Sequence, residues 1–174
     1  MVDSRIEKLA KLCVHYSVDL KPKEKVLVQG SELAFPLINE IYKECLLSDA
    51  YPLIIANLDV HYTFYKYAKE HQLEFVSPFV KFMVEKMDVS IGVWCQPNPK
   101  GLTNIDPSKI KTHRAARREI TEIFTKRSAE GKLKWTGLPY PINAQAQEAA
   151  MSFAEYEDFV YSSCLVDKED PIAE

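Results

Sequence analysis

Short apolar runs alternate with helical patterns along the whole chain. The first run, Val26 to Val28, ends at Gly30, and a helical pattern begins after Ser31. A short β-rich run followed by a turn and a helix is typical of a buried parallel strand. Apolar runs predict further strands at residues 53–56, 89–94 and 133–137. We expect the strand at 53–56 to be buried on both faces.

Helical periodicity fills the segments between these strands. It predicts helices over residues 4–17, 32–47, 61–70, 78–87, 107–129, 144–151 and 153–164. Ser4 with Glu7, and Ser152 with Glu155, have the spacing of a capping box. Ser77 and Asp106 each precede a proline, which suits the first turn of a helix. The helix over 78–87 is expected to face the core with Phe79, Phe82, Met83 and Met87.

Strands that are separated by helices need crossover connections, and crossovers place the strands in parallel. The sequence therefore predicts an α/β fold with an open, mainly parallel sheet of about four or five strands. Helices are expected on both faces of the sheet, as in a Rossmann-like three-layer sandwich. A chain of 174 residues suggests one domain with a core that needs neither disulfides nor metal.

Composition and charge narrow the function classes. The net charge of −3 gives the molecule no overall attraction to nucleic acid. No apolar run approaches the ~20 residues that a membrane span needs, and no signal peptide is recognised at the start, so we predict a cytoplasmic protein without nucleic-acid or membrane partners. The four cysteines are far apart, and we interpret them as reduced core residues, with metal or disulfide use as the alternative: Cys13, Cys45, Cys95 and Cys164.

Ligands of open α/β sheets bind at the carboxyl ends of the strands. Those ends are residues 29–31, 57–59, 95–96 and 137–139. The turn at Gly30 and Ser31 could direct a helix N-terminus at an anion. The dinucleotide fingerprint G-x-G-x-x-G is absent, however, because Glu32 and Phe35 stand where glycines are needed. We therefore interpret Gly30 as a turn residue.

Metal binding and nucleophilic catalysis find little support in residue spacing. One hypothesis is that Glu32, Asp59 and His61 converge near one edge of the sheet, but no close ligand pair such as H-x-H occurs. We interpret them as solvated loop residues with one capping Asp. Ser31 follows Gly30, yet Leu33 stands where a nucleophile elbow needs glycine. Spacing thus predicts no catalytic, cofactor-binding or metal-binding residue.

Charged residues cluster on two of the predicted helices. The helix over 107–129 is basic, which raises a nucleic-acid face as one hypothesis. We favour a solvated or domain-contact face, because Glu119, Glu122 and Glu130 dilute the charge and Glu122 can pair with Lys126. We interpret the acidic residues of the last helix as ordinary surface residues that favour solubility: Glu155, Glu157 and Asp158. The basic residues are Lys109, Lys111, His113, Arg114, Arg117, Arg118, Lys126 and Arg127.

Several blocks of sequence resemble one enzyme family. They are SRIEKLA at 4–10, KVLVQGSELAFPLINEIYKE at 25–44, QLEFVSP at 72–78, NIDPSK at 104–109, and NAQAQEAAMSFAEYEDFVYSSCLVDKEDP at 143–171. Together they resemble the N-terminal part of the thermophilic-type metallo-aminopeptidases, the aminopeptidase T, S and II group. The resemblance covers nearly the whole chain.

The resemblance implies a protein that removes N-terminal amino acids from peptides. It implies an N-terminal α/β domain and a C-terminal catalytic domain that holds two divalent metals, zinc or cobalt. Homodimers and peptide substrates are implied in the same way. The metal-ligand segment of the family lies beyond Glu174, so no ligand can be assigned to a position here. Residues 1–174 are expected to form the non-catalytic N-terminal domain, inactive by itself, with the C-terminal catalytic domain of the same polypeptide as its partner.

Two alternatives stay open from the sequence. The chain could be a free-standing α/β module that binds a small ligand at the strand ends. It could also be an oligomerisation domain that assembles through its aromatic helices. Two positions depart from the family pattern: Phe35, and the segment Ser48 to Ala50 where a glycine-rich turn is usual.

Overall fold

Four parallel strands form the centre of the molecule. The computed structural model of the chain describes residues 3–172. The strands are β1 (Lys25–Gly30), β2 (Tyr51–Ala56), β3 (Val89–Trp94) and β4 (Lys134–Pro139). They lie in the order β2-β1-β3-β4, and every neighbouring pair is parallel. The predicted α/β fold with a parallel sheet is confirmed.

Helices occupy the connections between the strands. The first, α1 (Ser4–Lys11), continues as a π-helical turn over Leu12–Ser17, and a 3₁₀ turn over Glu32–Ala34 leads into the second. No helix among residues 3–172 is long and apolar enough to cross a membrane. The remaining helices are α2 (Phe35–Leu47), α3 (His61–Tyr67), α4 (Glu70–Leu73), α5 (Pro78–Lys86), α6 (Pro107–Ala116), α7 (Arg118–Ala129), α8 (Asn143–Glu148) and α9 (Phe153–Ser163).

Two of the predicted helices are each divided. The helix expected over 61–70 ends at Tyr67, because the Nζ of Lys109 binds the carbonyl oxygens at its end, including that of Tyr65 at 2.8 Å. A cation at a helix C-terminus stabilises that end. The helix expected over 107–129 is interrupted at Arg117, whose ψ of 4° is not helical.

Helix caps explain where most helices begin. The predicted caps at Ser77 and Asp106 and the capping box of Ser152 with Glu155 are confirmed. The capping box predicted at Ser4 is wrong: Asp3 is the cap, and its carboxylate accepts a hydrogen bond from the Arg5 N–H at 2.9 Å. The Asp3 carboxylate accepts a hydrogen bond from a free N–H of the first turn, and its negative charge interacts favourably with the positive end of the helix dipole.

One face of the sheet is densely packed. Val26, Val28 and Ile91 point from β1 and β3 into the main core and are fully buried. α1 and α2 cover this face, and Leu37 and Ile41 of α2 are likewise fully buried. This face therefore carries most of the hydrophobic stabilisation of the fold.

The opposite face and its covering helices are more open than the sequence predicts. β2 is not buried on both faces: it is an edge strand, and the side chains of Leu53 and Ile54 are 44% and 39% exposed. Phe79 and Phe82 of α5 do not face the core, with exposures of 78% and 59%. The reason is that α5 turns its other side, including Met83, toward α7 and the sheet.

The turn after α2 accounts for one departure from the family pattern. Asp49 has a φ of +57°, in the left-handed region that glycine adopts without strain. Aspartate tolerates this region better than most residues. The glycine that is usual at this turn in the family would adopt the same left-handed backbone conformation that Asp49 adopts here.

A network around Arg5 joins the two ends of the described chain. The guanidinium of Arg5 binds Asp3, reaches Glu157 and Asp158 on α9 at 3.0 and 2.7 Å, and lies 4.5 Å from the ring centre of Tyr161. The two α9 carboxylates are therefore not merely solubility residues, as the sequence suggested. They hold α9 against α1, and Arg5 screens their mutual repulsion.

We predict that Asp3→Asn shows the charge contribution of this network. Asparagine also caps helices well, so the substitution removes charge and keeps the cap. The hydrogen bonds from Arg5 hold the pKa of Asp3 below its usual value of 3.8. A lowered pKa adds stability above that value and loses it as the pH falls. Urea unfolding near pH 7 should show a loss of roughly 0.5–1 kcal/mol, shrinking below about pH 4.

Arg5→Gln provides the matched background for this measurement. With the guanidinium gone, Asp3→Asn should change the free energy of unfolding little at any pH, because the interaction that lowers the pKa is absent. A loss that is independent of pH in the wild-type background would contradict the assignment of the effect to the Asp3 charge.

Candidate functional site

A cavity of about 690 Å³ lies at the carboxyl ends of three strands. Ser31 follows β1, Asn57 follows β2, and Cys95 follows β3, and all three line it. The chain leaves β1 toward β2 on one side and returns to β3 on the other, so the cavity lies at the point where the strand order reverses. Crevices at such points are the usual ligand sites of open α/β sheets.

The structure brings together most, but not all, of the predicted strand ends. The end of β4, residues 137–139, is not among the residues that line the cavity. The lining also includes residues that the sequence analysis did not connect with the strand ends, among them Tyr65, Trp94, Arg114 and Gln145. Arg114 and Gln145 lie on helices far along the chain from Asn57 and Asp59, and the crossover geometry brings them to this edge.

Trp94 forms a flat apolar wall on two glycines. A Cβ atom at Gly137 would lie 2.2 Å from the Cζ2 of the Trp94 indole, and one at Gly92 would lie 3.1 Å from its Nε1. The ring therefore lies across these two positions of β3 and β4. The ring remains 58% exposed, so a ligand in the cavity can contact it.

The three residues considered as metal ligands, Glu32, Asp59 and His61, are not arranged as one site. Asp59 and His61 both line the cavity, with 3.7 Å between the Asp59 Oδ1 and the His61 Nδ1. The carboxylate of Glu32 instead accepts a hydrogen bond from the Ser31 hydroxyl at 3.1 Å. Across residues 3–172 no group of three or more His, Cys, Asp or Glu side chains is arranged to hold a metal. This donor set does not fit zinc, which takes at least three protein ligands.

The cysteine at the cavity is unsuited to act as a nucleophile. Burial raises the pKa of the Cys95 thiol, and the nearby charge of Glu32 raises it further, although Ser31 counteracts part of the effect. The thiol is therefore protonated at neutral pH, whereas the thiolate is the reactive form. Cys13 and Cys45 are core residues, and burial raises the pKa of each to about 12.

Several basic residues of α6 and α7 form hydrogen bonds within the fold. Arg127 donates to the carbonyl oxygens of Val84 and Met87 at 2.6 and 2.7 Å. His113 is hydrogen-bonded through Nδ1 to the Tyr65 hydroxyl at 2.9 Å. Burial lowers the pKa of His113, and the charges of Arg117 and His61 lower it further. The basic pattern is thus in part a set of internal bonds.

The ion pair that Glu122 forms on α7 differs from the one that the sequence suggests. Glu122 pairs with Arg118, one turn earlier, at 2.9 Å, and not with Lys126. Both arrangements have i,i+4 spacing, so spacing alone does not decide between them.

A sequence profile of the thermophilic metalloprotease (M29) family matches residues 2–174. The chain belongs to this family. The family that the sequence blocks resemble is thereby confirmed, and the protein is related to the metallo-aminopeptidases. M29 enzymes are metalloproteases, which implies a divalent metal in the full-length members. No curated protein matches the chain significantly.

The fold of this M29 chain agrees with a solved structure of AmpT from Thermus thermophilus. The two superpose with a TM-score of 0.76 over 91% of this chain, at 16% sequence identity. The chain spans 42% of the length of the Thermus protein. A second solved structure, the CurK enoyl reductase, aligns over 90% of this chain and 57% of its own at 14% identity, but its TM-score is 0.34.

We predict that Gly137→Ala destabilises this M29 chain by about 1–3 kcal/mol, the usual penalty for overpacking. The added methyl group would overlap the Trp94 indole and force it to move. Urea unfolding measures the loss. In a Trp94→Ala background the same substitution should be neutral or stabilising, since alanine suits a strand better than glycine. An equal loss in both backgrounds would contradict the proposed contact.

Proposed function

We propose that residues 1–174 form the non-catalytic N-terminal domain of a metallo-aminopeptidase that hydrolyses N-terminal amino acids from peptides. The C-terminal catalytic domain of the same polypeptide would be its partner, and would hold two divalent ions, zinc or cobalt. The observation that carries the proposal is the family match over residues 2–174, together with the absence of a metal-binding cluster from residues 3–172.

Two further observations support this division of roles. The chain spans only 42% of the Thermus AmpT chain whose fold it shares. The carboxylate and imidazole groups at the strand-end cavity, Asp59 and His61, supply two potential ligands where a zinc site needs more. In this proposal the domain contributes the wall of a substrate chamber, and the metal ions of the catalytic domain act as Lewis acids toward the peptide carbonyl.

The direct test is a peptidase assay of the 174-residue protein alone. We expect no release of product from leucine p-nitroanilide with added zinc or cobalt, because no residue set described here can hold the ions. A related full-length M29 enzyme serves as the positive control. Metal-dependent turnover by the 174-residue chain would overturn the proposal.

A second candidate role, assembly through aromatic helices, has its own support. Phe75, Phe79 and Phe82 are all strongly exposed. Their spacing places them along one side of α5 and of the short segment that precedes it. Exposed aromatic clusters of this kind often mark protein interfaces. We propose that this side contributes to a homodimer, as the family resemblance implies. Sedimentation equilibrium tests it: a monomer at every concentration would contradict the proposal.

We also propose a cytoplasmic location. All four cysteines are free thiols in the structure, and such thiols persist in reducing compartments. Recovery of the native protein from an oxidising compartment would contradict this.

A further inference from the structure

The outer edge of β2 presents backbone groups that the sheet does not use. In the part of the chain that the structure describes, β2 is the end strand and pairs with β1 alone. The N–H groups of Tyr51 and Asn57 are directed to the β1 side, with N···O distances of 2.9 and 2.7 Å. Successive residues of a strand direct their backbone groups to opposite sides. The N–H groups of Ile54 and Ala56 therefore point away from β1.

Pro52 limits how a partner strand can pair with this edge. Proline has no N–H, and within sheets it is found at edge strands or at the first residue of a strand. Pro52 lies two residues before Ile54, so its backbone also points outward and its missing N–H costs no bond to β1. The free donors of the edge are thus confined to Ile54 and Ala56, while the Pro52 and Ile54 carbonyl oxygens can accept.

This strand lacks the charges that usually protect an exposed edge. Natural proteins commonly place lysine or other charged residues on edge strands, because a free edge recruits other chains. Residues 50–58 contain no charged side chain, and four of the six positions of β2 are exposed. The other edge strand, β4, begins with Lys134 and has one exposed position, Trp135. Of the two edges, β2 is the one suited to a partner.

Exposed apolar side chains of α2 flank this edge on one face of the sheet. Glu44 of α2 bonds His15 of the π-helical turn at 3.0 Å, which marks the side of α2 that packs toward α1. Phe35 and Leu46 are eleven residues, about three turns, apart, and share the opposite side, where both are exposed. Since α2 packs on β1 and β2, that opposite side lies toward the β2 edge.

Exposed aromatic side chains of α5 flank the edge on the other face. Lys81 of α5 pairs with Glu119 of α7, which marks the side of α5 that faces α7. Phe79 and Phe82 point away from that side. Because α5 lies over β1 and β2, where it lines a cavity with Ile55, these two rings lie toward the β2 edge. The apolar surface thus continues from α2, across the free edge, to α5.

A second copy of the chain fits this surface better than an isolated peptide does. A single extended strand lies about 5 Å from its neighbour, whereas packed layers are about 10 Å apart. A peptide strand would therefore cover the backbone groups of β2 and leave the apolar side chains of both helices exposed. A second copy brings its own free edge together with its own apolar helices. A twofold interface joins the same surface of both copies in this way.

We propose that β2 pairs antiparallel with β2 of a second copy of this chain, so that the two sheets become one continuous sheet. With the two Ile54 residues opposite each other, each Ile54 N–H bonds the other Ile54 carbonyl, and each Ala56 N–H bonds the Pro52 carbonyl of the other copy. Every outward N–H of the edge is then satisfied. The inference rests on the homodimer proposed above and adds a strand-to-strand contact to its interface.

Sedimentation equilibrium of the 174-residue protein tests the pairing. The wild type should form a reversible dimer. Ile54→Pro removes an outward N–H that the chain's own sheet does not use, and Pro52 already occupies an equivalent position, so we expect this variant to fold. Its dimer should dissociate at least about tenfold more readily. Ile54→Val is the matched control, because it keeps the N–H and a β-branched side chain, and it should dimerise like the wild type.

Amide hydrogen exchange of the wild type gives a second readout that needs no variant. The N–H groups of Ile54 and Ala56 should become protected as the protein concentration rises and dimers form. Those of Leu53 and Ile55 point to β1, so they should be protected at every concentration and serve as the internal control. Thermal unfolding of the two Ile54 variants checks that each is folded.

The outcomes separate this inference from the proposals on which it rests. A wild type that is monomeric at every concentration would overturn both the homodimer and the strand pairing. A dimer that Ile54→Pro leaves as stable as Ile54→Val does, or in which the Ile54 and Ala56 amides stay unprotected, would overturn the strand pairing and leave a homodimer through α5 intact. Protection of these amides by an added extended peptide in a monomeric protein would assign the edge to a peptide and overturn the inference. None of these results depends on the peptidase assay.

Discussion

The absence of a side chain at Gly30 lets three elements meet at the carboxyl end of the sheet. A Cβ atom there would lie 2.8 Å from the Ile38 Cδ1 on α2, and 3.1 Å from both the Cβ and the carbonyl oxygen of Val93 on β3. The end of β1 is therefore held tightly between a helix and the next strand. Because the cavity begins one residue later, at Ser31, this close approach fixes the edge of the sheet at which the strand-end cavity lies.

The two faces of the sheet differ in how completely they are covered. The face beneath α1 and α2 is fully buried and supplies the main core. On the other face, a cavity of about 470 Å³ separates the sheet from α5 and α7, and the indole of Trp94 is left open. The core packing and the open space for a ligand thus lie on different sides of one sheet. The Trp94 indole on the open side can therefore contact a ligand without disturbing the packed core.

The sequence predicts the architecture better than it predicts the site. β3 is predicted at its observed bounds because apolar β-rich residues alternate with turn signals on a scale of a few residues. The exposure of Phe79 and Phe82 is not predictable in this way, since helical spacing shows that apolar residues share a side but not what that side meets. Arg114 and Gln145 reach the cavity from separate helices, and no local spacing connects them.

Arg5 gives a second example of this limit. Its partners on α9 lie about 150 residues away, so the acidic residues there read as ordinary surface charges from sequence alone. Trp94 differs, because a signal for its position is present in the chain. Two glycines in neighbouring strands, Gly92 and Gly137, are paired in register, and glycine within a strand often marks the close approach of another group.

The central proposal is that this sheet is a scaffold with a ligand crevice, and that the metal ions of the proposed enzyme are held by another part of the polypeptide. Equilibrium dialysis of the purified chain against zinc tests the claim most directly. The account predicts no saturable zinc binding, since no group of three or more His, Cys, Asp or Glu side chains among residues 3–172 is arranged to hold a metal. A saturable zinc site that is lost in Asp59→Ala or His61→Ala would contradict it.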